Sequence, residues 1–218
     1  MENKAILMSI QPNWVAKILN GEKTIEVRKK FPKDYVGWVY IYCTKKDDLC
    51  SMQKLCHNDR FICGKDFDNR DFPHLHSGYN GKGKVVARFW CDKVSVIERY
   101  CGTFIPISGY TTFLDKRYSY QGLKEATCLN DEELFRYLGY KNGYAIHIID
   151  LKPFDKPKEM KEFRHFNKPN CDSCPFQYSI DFECEYHKEV DCDDIPLTKA
   201  PQNFCYVEDT LWKECLNY

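Results

Sequence analysis

"NGEKTIEVRKK" (residues 20–30) is the stretch on which the fold turns. It follows "QPNWVAKIL" (11–19), where Trp14, Val15, Ile18 and Leu19 recur at the spacing of one helix face and Pro12 suits a first helical turn. Gly21 suits the left-handed residue that ends a helix. The apolar period then switches to two, with Ile25 and Val27 on one face and Thr24, Glu26 and Arg28 on the other, which predicts a strand. A strand that starts this soon after a helix stop begins at a cleft beside the helix end. Glu26 and Arg28 then share a face, where they can hold each other or grip a polar ligand with complementary donors and acceptors. Strict alternation points Lys23 the other way. Taken alone, a same-strand Glu–Arg pair is a surface ion pair worth about 0–1 kcal/mol.

Outward from that stretch, "AILMSI" (5–10) is a short apolar run, and "VGWVYIYCT" (36–44) and "GKVVARFWCDKVSVIE" (83–98) are β-branched and aromatic. Residues 45–83 between them are polar, lack a sustained period and read as an inserted loop. "LNDEELFRYLGY" (129–140) opens with Asn130 as cap and Glu133 at capping-box spacing, and Gly139 closes the helix. "GYAIHIIDL" (143–151) is a further strand. After Pro153 and Pro157 the pattern degrades into a cysteine-bearing tail. Strands this closely spaced leave no room for alternating βαβ units. They predict an α+β class: a small antiparallel or mixed barrel with helices at its edge over residues 1–157, and a Cys-rich extension over 158–218.

Composition narrows the function classes. With 43% hydrophobic and 15% aromatic residues, the chain has the make-up of a packed fold rather than a disordered one. Its 32 basic and 32 acidic residues cancel, so any anionic partner must be held by a local patch and not by global charge. No secretion signal or membrane span is visible, and 13 cysteines without an export signal point to a reducing, cytoplasmic setting.

"SIQPNWVAKILNGEKTIEVRK" (9–29) resembles the start of an ASCH (activating-signal-cointegrator homology) domain. That family's Gly-x-Lys-x-x-Glu-x-Arg signature is matched by Gly21, Lys23, Glu26 and Arg28. "DEELFRYLGYKNGYAIHIIDLKPFDKP" (131–157) is similar to the helix-and-strand closure of longer, often phage-associated members. The resemblance covers residues 5 to about 157 without the 45–83 insert. It implies a PUA-like barrel that binds RNA or a modified nucleotide. For such a module the residues offer a cleft around Ser9, Lys23, Glu26 and Arg28, in which Arg28, Lys29 and Lys30 meet phosphates, Glu26 accepts from a base edge, and Trp38 and Tyr42 are stacking faces. Small bacterial relatives are amidohydrolases on acetylated cytidine. Lys23 matches their lysine, but Glu26 stands where they carry threonine, and their distant glutamate has no placed counterpart. The alternative function is therefore hydrolysis of an acylated nucleoside such as acetylcytidine, or nuclease action, in the same cleft. Glu26 is then a general base and Lys23 the stabiliser of an oxyanion. The residues leave binding and catalysis open.

In the tail, Cys171 and Cys174 have the Cys-x-x-Cys spacing of a metal turn. Cys192 follows within the roughly 15–20 residues common between halves of a zinc site, and Cys205 completes a four-thiolate set. Cys184 and His187 compete for the third and fourth places. Four thiolates close the shell, so this zinc is expected to be structural. Cys50, Cys56, His57 and Cys63 fit no zinc spacing and read as free. Chain purified without added zinc should carry the metal stoichiometrically by elemental analysis, and should lose it together with tail structure in Cys171→Ser. Metal-free protein with a folded tail would refute the site.

Overall fold

The computed structural model describes residues 4–45, 52–55, 59–63, 79–100, 103–107, 120–166 and 196–209. Strand β1 (Lys4–Ile10) is apolar on both faces: Ala5 and Leu7 enter one core cluster, and Ile6, Met8 and Ile10 enter another. A strand buried on both sides belongs inside a sheet. Accordingly β1 pairs in parallel with β3 (Gly37–Cys43) and antiparallel with β11 (Phe204–Glu208). β3 continues to β6 (Val85–Cys91) and β6 to β10 (Ile149–Lys158), which makes a five-stranded sheet in the order β10-β6-β3-β1-β11. β11 comes from the cysteine-bearing tail, so that part of the tail is built into the main sheet.

The second sheet has four strands: β2 (Ile25–Arg28), β9 (Gly143–His147), β7 (Val94–Tyr100) and β8 (Thr103–Ile107), in that order. The chain crosses between the sheets at two corners, 92–93 between β6 and β7, and Ile148 between β9 and β10. Strands that turn a corner in this way let two sheets share one core. The 83–98 stretch is therefore two strands in different sheets.

Helix α1 (Pro12–Leu19) links β1 to β2 and buries Val15, Ala16, Ile18 and Leu19 against the larger cluster. α2 (Tyr120–Thr127) and α3 (Asp131–Leu138) cover the second sheet, with Leu123, Ala126, Leu134 and Leu138 packed on Ile25, Val27, Ile97 and Ala145. α3 starts as its sequence dictates: the Asn130 side chain accepts from Glu133 N–H, and the Glu133 carboxylate accepts from Asn130 N–H. Such a cap is worth about 1 kcal/mol. Part of the inserted loop is ordered as a strand pair, β4 (Met52–Lys54) and β5 (Phe61–Cys63), tied to the end of α1 by Asn20 bonding Phe61 through both N–H and C=O. Cys63 is buried there. Among the described residues no helix is long and apolar enough to cross a membrane.

The expected closed barrel is corrected in one respect. The fold is α+β, but its described strands form open sheets. Among the described residues neither outer strand of the five-stranded sheet, β10 or β11, pairs with an outer strand of the other, β2 or β8. The seam between β2 and β1 is bridged by side chains instead.

On the outer face of the main sheet, Tyr40, Tyr42 and Val85 are covered by Phe163 and Leu197. Asp209, 3% exposed, holds this face: its carboxylate accepts from the Tyr40 hydroxyl at 2.5 Å and lies 3.6 Å from the Arg88 guanidinium. Removing one partner of a buried ionic group strands the others. Asp209→Ala should cost about 3 kcal/mol in urea unfolding, and Asp209→Asn clearly less; equal, negligible losses would show that the contact is idle.

Candidate functional site

α1 ends in a Schellman turn: Gly21 N–H donates to Ile18 O and Glu22 N–H to Lys17 O, an acceptor that Lys23 N–H also reaches. Gly21, at φ +74°, makes that turn possible. Thr24 N–H then donates to Ala126 O, which anchors the connection to α2. Lys23 thus precedes β2 and is not bound by strand alternation. Contrary to the alternation reading it turns inward and is 2% exposed.

Its ammonium donates to Thr127 O at 2.7 Å, lies 3.4 Å from Glu26 Oε2 and sits 5.3 Å from the centre of the Trp14 ring. Glu26 Oε1 is 3.1 Å from Arg28 Nε. Arg28 Nη2 donates to Ser9 O at 2.6 Å, and Nη1 to Asn203 Oδ1 at 3.3 Å. Asn203 Nδ2 donates in turn to Lys30 O, and Ser9 Oγ to Pro201 O. Two cations and one carboxylate therefore share a buried floor. It is tied to α2 on one side and to the tail on the other.

Above that floor opens a cleft of about 710 Å³, lined by Ser9, Trp14, Lys23, Glu26, Val27 and Arg28 from the first thirty residues, and by Glu133, Arg136, Tyr137 and Gln202 from α3 and the tail. This volume suits a small-molecule or nucleotide-sized ligand. Burial holds the Lys23 ammonium below the ordinary lysine value, while the Glu26 carboxylate pulls it back up; burial is the larger effect. The Tyr137 hydroxyl is pushed up, first by burial, with Arg28 and the Lys29 N–H opposing.

Of the residues named from the sequence, Ser9, Lys23, Glu26 and Arg28 come together. Lys29 lies outside the lining, exposed at the rim with its ammonium 5.2 Å from the Tyr137 ring. Trp38 and Tyr42 are not cleft aromatics; they belong to the outer face of the main sheet. Trp14 and Tyr137 take their place. Trp14 was hidden as a member of the α1 stripe, and Tyr137 sits beside the buried Leu134 and Leu138 positions of α3. Gln202 and Asn203 follow "KAP" in the tail, where local pattern says nothing of the cleft.

Cys171, Cys174, Cys184, His187 and Cys192 lie outside the described residues, as do Cys50, Cys56 and His57. Cys205 is on β11 opposite Leu7, packed against the outer-face cluster, and burial pushes its thiol up to about 11.

No family model and no curated protein matches the chain. Among solved structures it is similar to the ASCH protein of Zymomonas mobilis, at 12% identity and TM-score 0.46 over 99% of this chain and 95% of that one. A serine-to-alanine variant of that protein aligns at 15% identity and TM-score 0.47, covering 99% and 97%. A tyrosine-to-phenylalanine variant aligns at 11% and 0.45, covering 97% and 96%.

The lowered Lys23 value has a definite sign. Between the folded-state value and 10.5 the unfolded chain holds a proton that the folded chain lacks, so stability gains from this group as pH rises through that window. In ¹³Cε-lysine NMR one resonance should titrate below 10.5 and vanish in Lys23→Met. That variant should also lose the alkaline gain in stability; a full lysine set titrating at the ordinary value would contradict the buried placement.

Proposed function

We propose that the chain is an ASCH-type, PUA-like module that binds RNA or a nucleotide in this cleft. The observation that carries the reading is the convergence of Lys23, Glu26 and Arg28 on the floor of a cleft whose walls hold Trp14 and Tyr137. Cations with spare N–H groups suit phosphate or base oxygen, the carboxylate suits an exocyclic amine, and the rings offer stacking faces. The sequence signature that names these three residues points the same way. Arg28 already spends N–H groups on Ser9 and Asn203, so it positions the floor as much as it contacts a ligand. The phosphate is then met from the rim, where Lys29, Lys30 and Arg136 are exposed.

A second reading rests on one specific observation: Lys23 is held below its ordinary value while in contact with Glu26. A lysine so placed can serve as base or nucleophile in hydrolysis of an acylated nucleoside. Structural zinc on Cys171, Cys174, Cys192 and Cys205 remains our proposal for the tail.

Fluorescence anisotropy with short single-stranded RNA and DNA tests the first reading. Affinity should fall with salt, and Tyr137→Ala should weaken it about tenfold, as loss of one stacked base does. No salt-sensitive binding to either nucleic acid sinks it. Acetate released from acetylcytidine, and abolished in Lys23→Met, would put hydrolysis first.

A further inference from the structure

Val27 lines the cleft, yet its side chain is committed elsewhere. The residue is 4% exposed and packs with Leu123, Leu134 and Leu138 beneath the helices. What it lends the cleft is main chain, and the strand register says which groups. β2 is the outer strand of its sheet and pairs only with β9, Glu26 opposite Ile146 and Arg28 opposite Tyr144. Ile148 N–H donates to Thr24 O at 3.0 Å, so Thr24, Glu26 and Arg28 are the hydrogen-bonded positions of this antiparallel ladder. In such a ladder the intervening residues turn both N–H and C=O to the opposite edge. Ile25 and Val27 therefore face away from β9. The next residue of this set, Lys29, follows the same rule, its N–H lying beside the Tyr137 hydroxyl.

We infer that the open-edge N–H and C=O of Val27 form a base-reading pair, which takes the Watson–Crick edge of an unpaired nucleobase in the cleft. This rests on the nucleotide-binding reading above and names what that site reads. A residue in extended conformation presents its donor and acceptor side by side, and a nucleobase edge presents an adjacent acceptor and donor to match them, such as O4 and N3–H of uracil or O6 and N1–H of guanine. Trp14 and Tyr137 border the same space and supply apolar faces. Glu26 and Arg28, on the residues either side of Val27, flank the pair with one more acceptor and further donors. Main chain cannot rotate away, so the pair is preorganised at no side-chain entropy cost. A base already paired in a duplex has this edge occupied and is excluded.

The test titrates ¹⁵N-labelled protein with uridine and guanosine 5′-monophosphates, and with their 3-methyluridine and 1-methylguanosine counterparts, which keep phosphate, sugar and ring faces but block the edge. The unmodified nucleotides should move the Val27 amide proton downfield, and the methylated ones should bind at least about tenfold more weakly. Val27→Pro removes the N–H without breaking a ladder bond, and should level the two sets. If that variant does not fold, the Val27 amide shift and the methylation ratio still decide. Equal affinity for both members of a pair, or binding that leaves the Val27 amide unmoved, overturns the base-edge inference and leaves the cleft as a nucleotide site. Absence of binding by all four nucleotides and by short RNA overturns both.

Discussion

Arg28 does the work that a strand ladder does elsewhere in the fold. Its backbone belongs to the outer strand of the four-stranded sheet, and its guanidinium donates to Ser9 O near the end of β1 in the five-stranded one. β1 pairs with β3 and β11, and among the described residues no ladder joins it to β2. The seam would otherwise leave the Ser9 carbonyl unmet, at about 1–3 kcal/mol for a buried polar group. One long, planar, permanently charged side chain meets Ser9, Asn203 and Glu26 at once, which a lysine could not do with the same geometry. The open seam is also the cleft. A hydrogen-bonded closure would have filled that space.

Stability alone does not account for three ionic side chains on that floor. A buried ion pair gives back in attraction roughly what its desolvation costs, and apolar residues of similar volume often serve as well or better. Lys23 shows the cost directly, since burial outweighs the Glu26 carboxylate in setting its proton affinity. Ionic clusters kept at such a cost gather at functional sites, and this one lies beneath a cleft.

Much of this was legible in the chain, and the limits have physical causes. Gly21, the period change at Lys23 and the Asn130–Glu133 cap are local signals, decided within one turn of backbone, and the structure carries each of them. The partners of the floor are not local. Asn203 reaches Arg28 across most of the chain, and Thr127 reaches Lys23 from α2; neither residue carries a mark of that role. The misplaced aromatics have a similar origin. Trp38, Tyr40 and Tyr42 alternate along a strand buried on both faces, so the period of two says that they share a side without saying which. The tail's place in the main sheet was equally out of reach, because β11 finds β1 across most of the chain.

That last point bears on how the chain should be divided. Pro201, Gln202 and Asn203 meet Ser9, the cleft and Arg28 in turn, and β11 follows at once beside β1. Asp209, one residue beyond β11, locks the far face of the same sheet through Tyr40 and Arg88. Within nine residues this segment contributes an edge strand, a cleft wall and a buried carboxylate to the body that residues 4–45 begin. Phe163 and Leu197 join the same apolar cluster on that face, so the described parts of the tail pack on the main sheet from both of its long stretches.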